Sequence, residues 1–147
     1  MRNATEQDLD ELVVMFIEYL HFYARDYSEE EVRSFLSQRF DRADNILLLA
    51  TADGRAIGFV QVYPTLSSLQ LAPAWVLNDL YVRQEGRRTG AGRALVREVC
   101  DRAAAARAAY VVLETAEDNL AARALYETEG FAIERGFLHY TKPAHRH

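Results

Sequence analysis

The chain has 147 residues, half of them hydrophobic, with 17 basic and 22 acidic side chains and a formal net charge of −5. That length suits a single domain with one core, and the acidic balance argues against a nucleic-acid partner, which calls for a basic face. One cysteine, Cys100, permits no intrachain disulfide; no cysteine/histidine spacing fits a metal, and no signal peptide or 18-residue apolar run is seen, so a cytoplasmic protein without metal or membrane segment is expected.

Residues 1–5 fit a short strand ending at Thr5, a helix cap. Over 6–23, apolar residues at Leu9, Leu12, Val13, Phe16, Ile17 and Leu20 follow a helical period. "SEEE" from Ser28 reads as a capping box, with Glu31 reaching back to the cap, and opens a second helix carrying Val32, Phe35 and Leu36. "NILLLATADGRAIGFVQVYP" predicts a hairpin around Asp53-Gly54. Residues 64–73 read as a loop and 74–82 as a strand. Residues 92–108 predict a helix with Leu95, Val96, Val99 and Cys100 inward. "YVVLET" is a buried strand, 119–129 a helix stopped by Gly130, and 131–142 a final strand. Two helices, three strands and an alternating helix-strand-helix-strand tail make an α/β fold with a mixed sheet, in one domain over 1–147.

"RRTGAGR", residues 87–93, lies where a strand ends and a helix begins. A helix N-terminus offers unpaired N–H groups and the positive end of its dipole. Glycines admit a close backbone approach, and Arg87, Arg88 and Arg93 add charge, so the loop suits a phosphate group. A P-loop would need Lys-Ser/Thr where Arg93-Ala94 stands. A dinucleotide fingerprint would need glycine at Leu95.

"RRTGAG" resembles the R/Q-x-x-G-x-G/A signature of the GNAT superfamily of N-acetyltransferases. "NLAARALYETEGF", residues 119–131, resembles that superfamily's second signature, with Asn119, Ala122, Leu125, Tyr126, Gly130 and Phe131 matching. The order of elements agrees along nearly the whole chain. The resemblance implies a mixed, mostly antiparallel sheet with a splayed central strand pair and about four flanking helices. It implies transfer of acetyl from acetyl-CoA to a primary amine of a small molecule, an amine or amino acid. A peptide or protein N-acetyltransferase and a non-catalytic acetyl-CoA sensor are the alternatives.

In that reading Arg87, Arg88, Thr89, Gly90, Ala91, Gly92 and Arg93 hold the pyrophosphate of the cosubstrate. Backbone at Leu80, Tyr81 and Val82 pairs with the pantetheine arm and offers an N–H to the thioester carbonyl, and Asn119 and Arg123 lie along the arm. Tyr126 occupies the family's general-acid position. Tyrosine side chains ordinarily titrate at about 10 and thiols at about 8.5, so a tyrosine there can protonate a departing thiolate at little cost. The base is left between Glu114, Asp79 and solvent. Strand alternation puts Asn78 and Asp79 on opposite faces unless a bulge intervenes. Tyr23, Tyr27, Trp75 and Asn78 are the candidate acceptor contacts. Too little chain follows Phe131 for the two terminal strands common in the family, so a homodimer that completes or covers the last strand is expected.

Overall fold

The computed structural model describes residues 1–145. The chain divides into two compact units, Met1–Glu114 and a second that begins at Thr115. The first contains β1 (Arg2–Asn3), α1 (Leu9–Phe22), α2 (Glu29–Arg42), β2 (Ile46–Ala52), β3 (Arg55–Ser67), β4 (Ala72–Val82), α3 (Ala91–Ala105) and β5 (Val111–Val112). Short 3-10 turns precede α1 at Glu6–Asp8 and follow β4 at Gln84–Gly86. The second unit holds α4 (Leu120–Thr128). Among the described residues no helix is long and apolar enough to cross a membrane.

The five strands form one sheet in chain order. The first four are antiparallel and β5 runs parallel to β4. Period-two alternation sends Leu47, Leu49 and Phe59 to one face, where they pack with Leu12, Val13, Met15 and Phe16 of α1 and Val32 and Leu36 of α2. Phe16 stacks on Phe59 with centroids 4.3 Å apart. On the opposite face lies α3, burying Leu95, Val96, Val99 and Ala103. The capping box at Ser28 forms as expected, with Glu31 N donating to Ser28 Oγ at 3.1 Å and Ser28 N to Glu31 Oε1 at 3.1 Å. Asp53 and Gly54 both have positive φ, the conformation a tight hairpin demands.

Three sequence expectations are corrected. Residues 64–73 are mostly strand: β3 runs on to Ser67 and β4 starts at Ala72. Pro64 is tolerated there because pairing with β2 ends at Val62, so β3 is an edge beyond it and needs no N–H on that side. "YVVLET" contributes only the two paired residues of β5. Residues 131–142 are not a strand. Aromatic and β-branched residues there, Phe131, Ile133, Phe137, Tyr140 and Thr141, supply strand propensity, but a strand exists only where a neighbour completes its hydrogen-bond ladder. Gly130 and Gly136, at φ +94° and +95°, turn the chain instead.

Gly58 marks the closest approach of β3 to β4. A Cβ there would stand 2.8 Å from the Tyr81 carbonyl oxygen and 3.3 Å from Val82 Cα. Gly58→Ala is therefore expected to force the two strands apart, at a cost of about 1–3 kcal/mol. At this chain length that lowers the thermal midpoint by roughly 3–10 °C, readable by circular dichroism. An unchanged midpoint would show that the ladder yields without cost.

Candidate active site

The centre of the first unit's chemistry is a bulge in β4. Gln61 pairs with Asp79 and Val62 with Leu77, which leaves Asn78 as an extra residue. The bulge resets the alternation. Asp79 joins Tyr81 on the α1 side of the sheet, and Asn78 turns with it, its Nδ2 donating to Asp79 Oδ2 at 2.9 Å. Tyr19 Oη, from α1, donates to Asp79 Oδ1 at 2.9 Å. Burial pushes the Asp79 carboxyl above its ordinary pKa, and the hydrogen bonds from Asn78 and Tyr19 offset only part of that. Asp79 is thus a half-buried carboxylate on a rigid strand, poised to hold or take a proton more readily than a surface aspartate.

Two side chains that the sequence analysis did not single out extend this cluster along β3. Gln61 is 0% exposed, and its Nε2 donates to Tyr63 Oη. Tyr63 is raised by burial and by the charge of Asp79, with Gln61 and Arg39 opposing. The signal in the sequence was one polar residue inside the apolar run "GFVQVY".

The same bulge controls the backbone. Arg83 N donates to Ile57 O at 2.7 Å, so by alternation the N–H groups of Tyr81 and Asp79 face β3 and those of Leu80 and Val82 face the other edge. On that edge β5 pairs only at Trp75↔Val111 and Val76↔Val112. Past those pairs the two strands part, and the Leu80 N–H points into the opening beside Asp79. This is the splayed pair that the family resemblance implied.

The arginine-glycine loop follows. Gly90 caps α3 in the left-handed region at φ +85°, and the first intrahelical bond runs from Ala94 N to Gly90 O. The first-turn N–H groups thus lie at the loop, as an anion requires. Thr89 Oγ1 donates to Gly86 O and accepts from Ala91 N at 3.3 Å, and Arg87 Nε donates to Val82 O at 3.2 Å, which fixes the loop against the strand end. Gly92 lies inside the first turn of α3. The loop base is held by a residue that sequence reading passed over. Buried Arg83 donates through Nη2 to Glu18 Oε2 at 3.0 Å, and Tyr81 Oη donates to Glu18 Oε1 at 2.9 Å. Burial raises Glu18, but these hydrogen bonds overcome it and leave its pKa below the ordinary value. Arg83 is committed to this pair, and the loop's own cations are Arg87, Arg88 and Arg93.

The other expected site residues lie on several elements. Glu114 is exposed, beyond the end of β5. Trp75 is buried on the face opposite Asp79, since Pro64, its ladder partner, alternates with Tyr63. Tyr23 and Tyr27 are half-exposed near the end of α1, Tyr23 packing edge-on against Tyr19 with centroids 5.2 Å apart. In the second unit Asn119 caps α4, accepting from Ala122 N at 3.2 Å, and Arg123 Nη1 donates to Glu117 O at 2.8 Å. Tyr126 lies on α4 with its ring edge-on to Phe131 at 5.9 Å.

Comparison with known proteins agrees with this architecture. The family described as "Acetyltransferase (GNAT) family" matches residues 12–131. The chain is 34% identical over 140 residues to an uncharacterized N-acetyltransferase, YhfO, of Bacillus subtilis (strain 168), covering 95% of this chain and 94% of that protein. It is 28% identical over 131 residues to a probable acetyltransferase of Haemophilus influenzae, covering 88% of each. A crystal structure of a probable acetyltransferase superposes with a TM-score of 0.93 at 36% identity, covering both chains completely. With its Arg-x-x-Gly-x-Gly loop at the head of α3 and its parted β4 and β5, the chain belongs to the GNAT family of acetyltransferases.

Proposed function

We propose that the protein transfers an acetyl group from acetyl-CoA to the primary amine of a small molecule, with Asp79 receiving the amine. The observation that carries this reading is the bulge at Asn78. It sets a half-buried carboxylate on one side of β4 and turns the neighbouring Leu80 N–H into the gap on the other. The Arg87–Arg93 loop holds the pyrophosphate of the donor. The edge of β4 at Leu80 and Val82 aligns the pantetheine arm, and Leu80 N–H donates to the thioester oxygen, where negative charge grows during attack. Asp79 takes the ammonium proton, freeing the nitrogen lone pair. A C–N bond forms, the C–S bond breaks, Tyr126 gives its hydroxyl proton to the departing sulfur, and the second proton shed by the nitrogen returns Tyr126 to its neutral form, leaving the amide, free thiol and a protonated Asp79. Against Glu114 as the base stands its exposure; for Asp79 stand its burial and raised pKa.

The pH profile tests the base. Asp79 acts only when ionised, so kcat/KM falls as pH drops through its raised pKa. Asp79→Asn should cut kcat/KM by roughly 10²- to 10⁴-fold and remove that limb, while Glu114→Gln keeps it. Loss of the limb in Glu114→Gln alone would move the base there. Folding raises this carboxyl's pKa, so its ionised form costs stability above that pKa, and the cost fades as pH falls through it. Asp79→Asn should therefore melt no lower than wild type at pH 7, which separates lost chemistry from lost fold. Tyr126→Phe should lower kcat by about 10²-fold with CoA affinity unchanged; full kcat in that variant refutes the acid role.

Donor binding should depend on loop backbone more than on any one charge. Gly90→Val places a β-branched residue at φ +85° and should weaken CoA binding about tenfold or more in calorimetric titration, beyond the effect of Arg88→Ala. Equal affinity in wild type and Gly90→Val would remove the pyrophosphate from this loop.

We also propose a homodimer. Phe137, Leu138 and Tyr140 are 79%, 81% and 86% exposed on a segment that forms no strand, and a second copy is the partner that such an exposed apolar segment suits. Light scattering should give twice the chain mass at micromolar concentration, and Phe137→Glu combined with Leu138→Glu should return it to a monomer. A wild-type monomer at high micromolar concentration would exclude the dimer.

A further inference from the structure

Gln61 presents a problem that its strand does not solve. It is wholly buried between Val60 and Val62, themselves fully buried, and its Oε1 has no hydrogen-bond partner among the described residues. A buried amide oxygen without a donor destabilises the fold, and an apolar side chain of equal length would suit the strand better. Such an orphan points to a donor brought from outside. Its position says which kind. Gln61 stands directly across the ladder from Asp79, where opposed Cβ atoms lie about 4.5–5.5 Å apart on one face. Asn78 is exposed, Asp79 half-buried and Gln61 buried, so the polar groups lead inward from the surface.

We propose that Gln61 Oε1 and the Asp79 carboxylate form a two-oxygen subsite for the acceptor's primary ammonium, which makes Gln61 a specificity-determining residue. This rests on the reading of Asp79 as the acceptor's carboxylate. Asp79 already accepts from Tyr19 and Asn78, yet each of its oxygens keeps a lone pair for an N–H. A primary ammonium brings three N–H donors, enough for both residues at once. When one proton passes to Asp79, Gln61 still holds another N–H, so the nitrogen stays in place as its lone pair is released. The acceptor class is an unhindered primary alkylamine, cationic at neutral pH; each N-methyl group removes a donor, and an alcohol brings only one.

The test uses the full chain with acetyl-CoA and a series of one alkylamine with its N-methyl and N,N-dimethyl forms, the last as a competitive inhibitor, reading released thiol. Gln61→Met should raise KM for the primary amine about tenfold or more, leave KM for acetyl-CoA within about twofold, and reduce discrimination against the N-methyl amine. Its thermal midpoint should equal or exceed that of wild type, because an unpaired polar group is removed. Should Gln61→Met not fold, the wild-type series decides: equal affinity for all three amines overturns the proposal. A folded Gln61→Met with unaltered amine KM also overturns it, leaving a structural amide or a bound water. If Asp79→Asn abolishes activity while Gln61→Met is normal, this inference alone fails; if Asp79→Asn is fully active, the reading of the acceptor site fails with it.

Discussion

The structure turns on one extra residue. With Asn78 inserted, β4 changes parity halfway along its length. Its first half pairs with β5 and sends Trp75 and Leu77 to the α3 face; its second half faces α1 with Asp79 and Tyr81. Remove the bulge and Asp79 would swap faces with its neighbours, Tyr19 would lose its acceptor, and the Leu80 N–H would turn back into the ladder. A bulge also increases local twist, which is the physical reason that β4 and β5 part just beyond it.

A second constraint holds the strand end and its loop in register with α1. Glu18 takes hydrogen bonds from Tyr81 and Arg83, one on the strand and one at its exit. An ion pair of this kind contributes less through net stability than through geometry, because desolvation offsets much of the Coulomb attraction. Here it fixes where the Arg87–Arg93 loop begins. The very next residue of the same helix, Tyr19, donates to Asp79, so α1 touches both the carboxylate and the base of the arginine-glycine loop. Strain at the loop is local: Arg88 and Gly90 both have positive φ, which aims successive N–H groups to one side.

The family, most of the order of elements and the arginine-glycine loop at the head of α3 were legible in the sequence. Helical periods in α1 and α3, the capping box at Ser28 and the Asp53-Gly54 turn are set by neighbours within a few residues. The arginine-glycine loop is likewise a local arrangement, a strand end followed by a helix start. The terminal strand was misread for the complementary reason. Residues 131–142 have the residue types of a strand, but pairing is not a local property.

What only the tertiary structure decided is which polar groups meet. Gln61 and Asp79 are eighteen positions apart in sequence and opposite each other in the sheet; Tyr19 reaches Asp79 across sixty residues. The bulge itself left no mark in "WVLNDLYV", since whether Asn78 or another residue is the extra one depends on the register that β3 imposes. Composition and periodicity dictated the α/β class and the loop, because hydrophobic burial and backbone capping act over short spans of chain. Register, bulge and the cluster around Asp79 came from packing β3, β4 and α1 together, where each partner's position is fixed by residues far away along the chain.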